Sequence, residues 1–97
     1  MKDYRAEIIA NQSVMDDVTE LLENNIPNFE YTMMTECQGR GLSSKKLGDT
    51  VWPEMNFVLF AYVSLEEAKA IKALVQKLIE RFPKEGISVF FTKGEEV

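Results

Sequence analysis

The chain has 97 residues, of which 45% are hydrophobic, and a formal net charge of −5. This length predicts a single domain, residues 1–97, with a modest core. The acidic balance opposes nucleic-acid binding, which draws most of its affinity from basic side chains on phosphates. One cysteine cannot form an internal disulfide and no secretory leader precedes Tyr4, so we expect a cytoplasmic protein. No apolar run reaches the roughly 20 residues that cross a bilayer, so membrane insertion is not expected.

The first part of the chain predicts a strand followed by a helix. Tyr4–Asn11 alternates apolar and polar residues, as a half-buried strand does. Ser13 can accept from the first N–H groups of a helix, and Asp16 three residues later makes a weak capping box. The apolar stripe of this helix consists of Val14, Val18, Leu21 and Leu22. Asn24, Asn25 and Pro27 then end it.

Two further strands, a second helix and a last strand follow. Phe29–Cys37 alternates cleanly, whereas Met55–Val63 is apolar on both faces and predicts a central strand covered on both sides. Ser64 with Glu67 forms a capping box, and Pro83 and Gly86 stop the helix. Its predicted inward residues are Leu65, Ala68, Val75, Leu78, Ile79 and Phe82, and its predicted outward lysines are Lys69, Lys72 and Lys77. The last strand is predicted at Ile87–Thr92.

The element order is strand, helix, strand, strand, helix, strand. This order predicts an α+β, ferredoxin-like βαββαβ fold, with a four-stranded antiparallel sheet, two helices on one face and a long loop between the second and third strands. The other face of the sheet would expose Ile9, Met34, Val58, Phe60, Tyr62 and Phe90. Its three aromatic side chains alone present up to roughly 450–750 Å². Either the protein associates with itself through this face, which we favour, or it binds a flat partner.

The loop, residues 38–53, is the feature that fold alone does not explain. Connections longer than about 12–15 residues are either functional or disordered, and three of the five glycines fall in this one. Residues 38–54 carry three basic against two acidic side chains, a local charge of +1 that leaves −6 on the rest of the chain. The basic residues Arg40, Lys45 and Lys46 could hold an anion or an acidic partner surface, or could simply keep the loop soluble.

These features resemble the P-II nitrogen-regulatory proteins. The resemblance lies in the element order, the sequence Glu36–Gly41 (ECQGRG) at the loop base, the long loop and the doubly apolar strand that leads into a capped helix. It implies a signalling homotrimer whose sheets pack together, and a long loop, the T-loop, that docks on a transporter or metabolic enzyme. It further implies an effector site at the loop base, with adenine nucleotide as a candidate ligand.

Residue by residue, the resemblance places effector binding at Gly39, Arg40 and Gly41. It places partner docking at Leu42, Ser43, Ser44, Lys45, Lys46, Leu47 and Gly48. The chain departs from the family at the connection Pro83–Gly86, which is too short for the expected phosphate-binding loop, and at its acidic end Glu95–Val97. We therefore predict weak or no adenine nucleotide binding. The loop also lacks the tyrosine that some members modify.

Other kinds of site receive little support. Without histidine or a second cysteine, Cys37 indicates a structural thiol rather than a metal ligand, and no nucleophile lies beside a general base, so no catalytic or metal residues are predicted. Trp52 could pack against the sheet or stack on a ligand ring. The alternative to a P-II-like regulator is a ferredoxin-like module for small-molecule binding or metal tolerance, without a docking loop.

Overall fold

The computed structural model describes residues 1–41, 45–46 and 55–97, with the backbone alone described at 45 and 46. The elements in chain order are β1 (Tyr4–Asn11), a 3₁₀ turn (Gln12–Val14), α1 (Met15–Asn25), β2 (Thr32–Cys37), β3 (Gly39–Arg40), β4 (Lys45–Lys46), β5 (Asn56–Val63), α2 (Leu65–Arg81) and β6 (Ser88–Lys93). The predicted βαββαβ order is confirmed, and β3 and β4 form an additional short hairpin. Within the described residues, no helix is long and apolar enough to cross a membrane.

The four long strands form one antiparallel sheet in the order β2–β5–β1–β6. The strand β5 lies between β1 and β2, which confirms the predicted central position of the most hydrophobic strand. In the register, Ile8 pairs with Leu59 and with Val89, so alternate residues of three strands lie on the same face.

Both helices cover one face of this sheet, here called the covered face. Its fully buried side chains include Ile8, Phe57 and Leu59 from the strands, and Leu22 and Ile71 from the helices, all 0% exposed. These residues have the strand and helix periodicities that place apolar groups on one side of each element. On the opposite face of the sheet, here called the open face, residues 1–41 and 55–97 place no helix.

The second strand begins later than predicted. Its first paired residue is Thr32, opposite Phe60, whereas Phe29–Tyr31 lies outside the ladder. The chain turns at Asn28, which has a φ of 54°, and Phe29 then stacks on Tyr31 with ring centroids 5.4 Å apart. These two rings pack against the core. Alternation therefore identified the apolar side correctly while placing the strand start too early.

The cap of the first helix also differs from the prediction. Asn11, not Ser13, is the capping residue: its Oδ1 accepts from the Ser13 backbone N–H at 3.1 Å and opens a 3₁₀ turn ahead of α1. The Ser13 hydroxyl instead donates to Glu85 Oε2 at 2.7 Å. The hydroxyl therefore ties the start of the helix to the connection between α2 and β6.

The second helix begins as predicted. The Ser64 hydroxyl accepts from Glu67 N at 3.1 Å, and Glu67 Oε1 accepts from Ser64 N at 2.9 Å, which completes the capping box. Two residues predicted to face inward do not: Leu65 is 47% exposed and Ile79 is 37% exposed. The buried stripe runs instead through Ala68, Ile71, Val75 and Leu78. The last strand lies one residue later than predicted, at Ser88–Lys93.

Candidate functional site

The base of the long loop is built around an irregularity in β2. The register with β5 shifts between Met34 and Cys37, so β2 carries a bulge just before the loop. Within it, Glu36 has a φ of 57°, in the left-handed region that non-glycine residues rarely adopt. A bulge bends the strand and redirects the chain. The loop therefore leaves the sheet at an angle that this local geometry sets.

Immediately after the bulge the chain forms a second, two-stranded ladder. Gly39 pairs with Lys46, and Arg40 pairs with Lys45. A Cβ on Gly39 would lie 2.7 Å from Nδ2 of Asn56, the first residue of β5. The glycine thus allows the chain that enters the loop to pass close to the strand that leaves it, as a residue without a side chain can.

Gln12, at the end of β1, holds both sides of the loop base. Its backbone N–H donates to Met55 O at 2.9 Å, and its side-chain Oε1 accepts from the backbone N–H of Glu36. The sequence pattern did not single out Gln12, because a glutamine between a strand and a helix carries no signal of its own. Gln12 anchors the strained Glu36 and the start of β5 to the same corner of the fold.

The connection between α2 and β6 meets this corner from the other side. The Asn11 N–H donates to Glu85 O at 3.0 Å, next to the Ser13–Glu85 hydrogen bond. Gly86 has a φ of 63°, which permits the turn into β6. Through Glu85 the connection presents a carbonyl and a carboxylate here, both acceptors. A phosphate-binding loop offers N–H donors instead.

The described residues hold only part of the predicted loop site. Gly39 and Arg40 lie side by side in β3, Arg40 and Gly41 are exposed, and the backbones of Lys45 and Lys46 form β4. Their assignment to effector binding and docking stays a prediction. Leu42, Ser43, Ser44, Leu47 and Gly48 lie outside the described residues, as do Trp52 and Pro53. Cys37 is half-buried, with its Sγ 3.8 Å from Met34 O and 3.7 Å from Thr35 O.

Among the described residues, no three or more carboxylate, thiol or imidazole side chains come together in a way that could hold a metal ion. Acidic residues also occur at the loop base, where Glu36 and Glu85 both contact the Asn11–Ser13 corner. The sequence offers an anionic ligand positive charges in the loop, at Arg40, Lys45 and Lys46, and in the neighbouring connection, at Lys84.

The open face is the second candidate surface. The strand register assigns it the residues Arg5, Glu7, Ile9, Thr32, Met34, Val58, Phe60, Tyr62, Ser88, Phe90 and Thr92. Several are exposed large apolar side chains: Met34 at 49%, Tyr62 at 48% and Phe90 at 57%. This agrees with the expectation that a monomer exposes an apolar sheet face. Isolated exposed apolar residues are ordinary, but a contiguous set marks an interaction surface.

One ion pair lies on the open face. Arg5 Nη2 donates to Glu7 Oε2 at 3.0 Å, and Arg5 Nη1 donates to the Tyr62 hydroxyl at 2.9 Å. The guanidinium also lies 4.3 Å from the centroid of the Phe60 ring. The hydrogen bond that Arg5 donates to Glu7, followed by the one that it donates to Tyr62, raises the pKa of Arg5. Arg5 therefore lies flat against the sheet, and the sequence pattern alone did not single it out.

Besides a cleft of about 300 Å³ that Tyr62 lines with Lys2, Glu95 and Glu96, two clefts border this face. One, of about 310 Å³, is lined by Phe60 and Tyr62 together with the ion pair of Lys2 and Glu30, whose Nζ and Oε1 are 3.1 Å apart. The other, of about 450 Å³, lies between α2 and β6, and Phe90 is part of its wall. Because open-face aromatic residues line both clefts, the apolar surface extends to both edges of the sheet.

Comparison with known proteins yields matches among solved structures. No protein-family model matches the sequence, and no curated protein matches it. CPII from Thiomonas intermedia K12, in its structure bound to ADP and bicarbonate, gives a TM-score of 0.75 at 19% identity, over 95% of this chain and 85% of that chain. A PII-like signaling protein from Thermus thermophilus gives 0.72 at 22% identity, over 98% of this chain and 89% of that chain. The chain has the PII-like fold.

The predicted resemblance is thus confirmed at the level of the fold. The ferredoxin-like core does not by itself carry a function, because the de novo designed protein Foldit4 also matches, with a TM-score of 0.56 at 8% identity over 96% of this chain. A PII-like function must therefore be argued from the loop base and the open face of this chain.

Proposed function

We propose that the chain is a non-enzymatic, PII-like regulatory protein. Three copies associate through their open faces, a small anionic effector binds at the loop base, and residues 38–53 dock a transporter or metabolic enzyme. The observation that carries this proposal is the loop base itself. There a bulge at Glu36, a close passage at Gly39 and a short ladder at Arg40 project the loop from a PII-like sheet.

Self-association is supported by what the two helices leave uncovered. Val58 and Phe60 are half-buried, and Tyr62 and Phe90 are 48% and 57% exposed, on the face that neither α1 nor α2 covers. A second copy would remove this apolar surface from water at about 25 cal/mol per Å². The PII-like fold makes a homotrimer the assembly to test first.

The effector proposal depends on Arg40 and on the polarity of the neighbouring connection. Glu85 supplies acceptors at the Asn11–Ser13 corner, which disfavours a polyphosphate there. A guanidinium offers a planar fork of donors that fits a small planar anion with two oxygens. Bicarbonate has this shape, and it is present with ADP in one structure of CPII. We therefore expect this chain to bind bicarbonate and to bind adenine nucleotides weakly or not at all.

The test is a thermal-shift titration of the purified protein with bicarbonate, ADP and ATP, with chloride as the ionic-strength control. A ligand of the folded state stabilises it by about 2.7 kcal/mol at one hundred times its dissociation constant, so saturating bicarbonate should raise the melting temperature by several degrees. Arg40→Ala should abolish that shift. Lys77→Ala, which removes one exposed positive charge from α2, should keep it.

Two results would contradict the proposal, each in a different part. Submicromolar ADP affinity by calorimetry would show that the loop supplies a phosphate site that the connection lacks. If none of the ligands raises the melting temperature, effector sensing is excluded and docking remains as the function to test. Docking is tested by neutralising Arg40, Lys45 and Lys46 together, which should weaken capture of an acidic partner more strongly at low salt.

A further inference from the structure

The central charged residues of the open face occupy an unusual position. Glu7 pairs in register with Phe60 on one side and Phe90 on the other, so it lies between two aromatic residues of the neighbouring strands. Arg5, two residues earlier, pairs with Tyr62 and with Thr92. Of the open-face residues that the register defines, these two alone carry formal charge. An ion pair thus lies in the middle of a surface that is otherwise apolar or neutral.

The contacts of Arg5 keep its charge on the surface of the sheet. The guanidinium donates to Glu7 and to the Tyr62 hydroxyl, and it stacks on Phe60. The Phe60 and Tyr62 rings meet edge to face, with centroids 6.4 Å apart, and so support it from below. The side chains of Arg5 and Glu7 are 31% and 32% exposed. In a single copy of the chain, the Arg5–Glu7 pair is therefore already partly removed from water, and its orientation is set before a partner binds.

The charge of this face fits a second copy of the same chain. The whole chain carries −5, whereas Arg5 and Glu7 cancel on the open face. A strongly basic partner would be attracted to the acidic body and to Glu95 and Glu96 beside Tyr62, but the paired strand residues of this face would offer it no net charge. A second copy brings the same cation beside the same anion, so each pair can lie against the opposite charge of its neighbour. Oppositely charged groups across an interface fix register more than they add affinity.

We infer that the Arg5–Glu7 pair determines which assembly the open face forms: it permits one register between copies and disfavours the others. This inference rests on the self-association proposed above. Covering the face completes the desolvation of both charges, which is tolerated only where each keeps a partner of opposite charge. In registers that place the pair against Ile9 or Phe90 of another copy, the pair would lose water and gain no polar contact. Apolar side chains alone would accept many such registers.

The test compares the wild type with Glu7→Leu and with the double variant Arg5→Met/Glu7→Leu, by native mass spectrometry and analytical ultracentrifugation. Wild type should give one assembly mass. Glu7→Leu leaves the Arg5 cation to be buried without its carboxylate, and should weaken assembly by at least about tenfold. The double variant should assemble at least as tightly as wild type but distribute over several masses, because buried polar pairs add specificity rather than stability.

Controls separate a specific role from a loss of structure. The matched double variant Glu66→Leu/Lys69→Met removes an ion pair of opposite charges on the exposed side of α2, with Nζ and Oε1 4.0 Å apart, and should assemble as wild type does. If Glu7→Leu fails to fold by circular dichroism, Glu7→Gln removes the charge at nearly constant size and should show the same weakening.

The possible outcomes distinguish this inference from the proposal beneath it. A double variant with the single mass of wild type, or a Glu7 variant that assembles with unchanged affinity, overturns the role of the pair and leaves self-association intact. If the wild type stays monomeric at a concentration of about 100 μM, self-association itself is overturned, and the inference with it.

Discussion

The two faces of the sheet are made by the same strands, yet they differ in what the chain can do with them. In β5, Phe57 and Leu59 on the covered face are 0% exposed, whereas Phe60 and Tyr62 on the open face remain half-buried and 48% exposed. Both faces are rich in large apolar groups. The difference is that α1 and α2 lie on one face only, and no other helix in the described part of the chain covers the opposite face.

The residues that β1 contributes to the two faces show the same difference. From β1, the covered face receives Ala6, Ile8 and Ala10, whereas the open face receives Arg5 and Glu7 as well as Ile9. A face that must only be buried can be filled with apolar groups of suitable volume. A face that must recognise something needs features that distinguish one partner from another. The covered face thus explains why the chain folds, and the open face bears on what the folded chain does.

The largest expected effect comes from a charge on the covered face. Leu59→Asp should abolish folding, because this side chain is fully buried between Ile8 and Met33 in the register and a carboxylate there would have no partner. The penalty, several kcal/mol for the uncompensated group, approaches the whole of the roughly 5–15 kcal/mol by which domains are usually stable. Far-UV circular dichroism measures the loss of secondary structure.

Leu59→Met, which conserves volume, should cost less than about 1.5 kcal/mol. A folded Leu59→Asp protein would mean that the core is misplaced.

The same change one residue along the strand should have a different consequence. Phe60→Asp should leave the monomer folded, because the site is partly open to water and lies against the Arg5 guanidinium, but it should abolish assembly. Light scattering at micromolar concentration gives the mass, and circular dichroism gives the fold. Leu65→Asp is the matched control, since Leu65 is 47% exposed on α2 and an acidic residue is favourable at a helix start. An intact Phe60→Asp oligomer would place the interface elsewhere.

A third change should affect stability without touching assembly. Ser64→Ala removes the acceptor for Glu67 N at the start of α2 and should lower the free energy of unfolding by about 1 kcal/mol. Ser13→Ala should cost less, because Asn11 caps the first helix and the Ser13 hydroxyl makes one exposed contact with Glu85. Urea denaturation of both variants measures the difference. Equal losses would mean that Ser13 contributes to helix initiation after all.

The architecture could be predicted from the sequence because it depends on short-range patterns. Alternation located β1 to the residue, and the Ser64–Glu67 pair fixed the start of α2. Periodicity failed in α2, where Leu65 and Ile79 have the spacing of core residues but are 47% and 37% exposed. An apolar stripe shows which side of a helix faces the core. It does not show how many residues of that stripe the sheet buries.

The candidate sites were less predictable because they depend on contacts distant in sequence. The left-handed φ of Glu36 is held by Gln12, which lies 24 residues away along the chain. Similarly, the Arg5 guanidinium finds Tyr62 57 residues away. Neither residue belongs to a motif. Gly39 was predicted as an effector-binding residue, and the close passage of Asn56, which requires a residue without a side chain there, was not predicted.

The smallest expected effect concerns Tyr31, at the edge of the covered face. Burial, followed by its hydrogen bond to Glu23 at 3.0 Å, raises the pKa of this phenol above its usual value near 10. At pH values below the usual pKa of the phenol, Tyr31 keeps its proton in both the folded and the unfolded chain, so its contribution to the free energy of unfolding is constant. As the pH rises further, the unfolded chain releases its proton first, and the free energy of unfolding falls until the folded phenol also ionises.

Tyr31→Phe should remove this loss. Urea denaturation at about pH 7 and at pH values above about 10 should therefore show a smaller alkaline decline in Tyr31→Phe than in wild type. Tyr4 and Tyr62 remain in both proteins, so the difference isolates Tyr31, and parallel declines would mean that this phenol ionises as freely in the folded protein as in the unfolded chain.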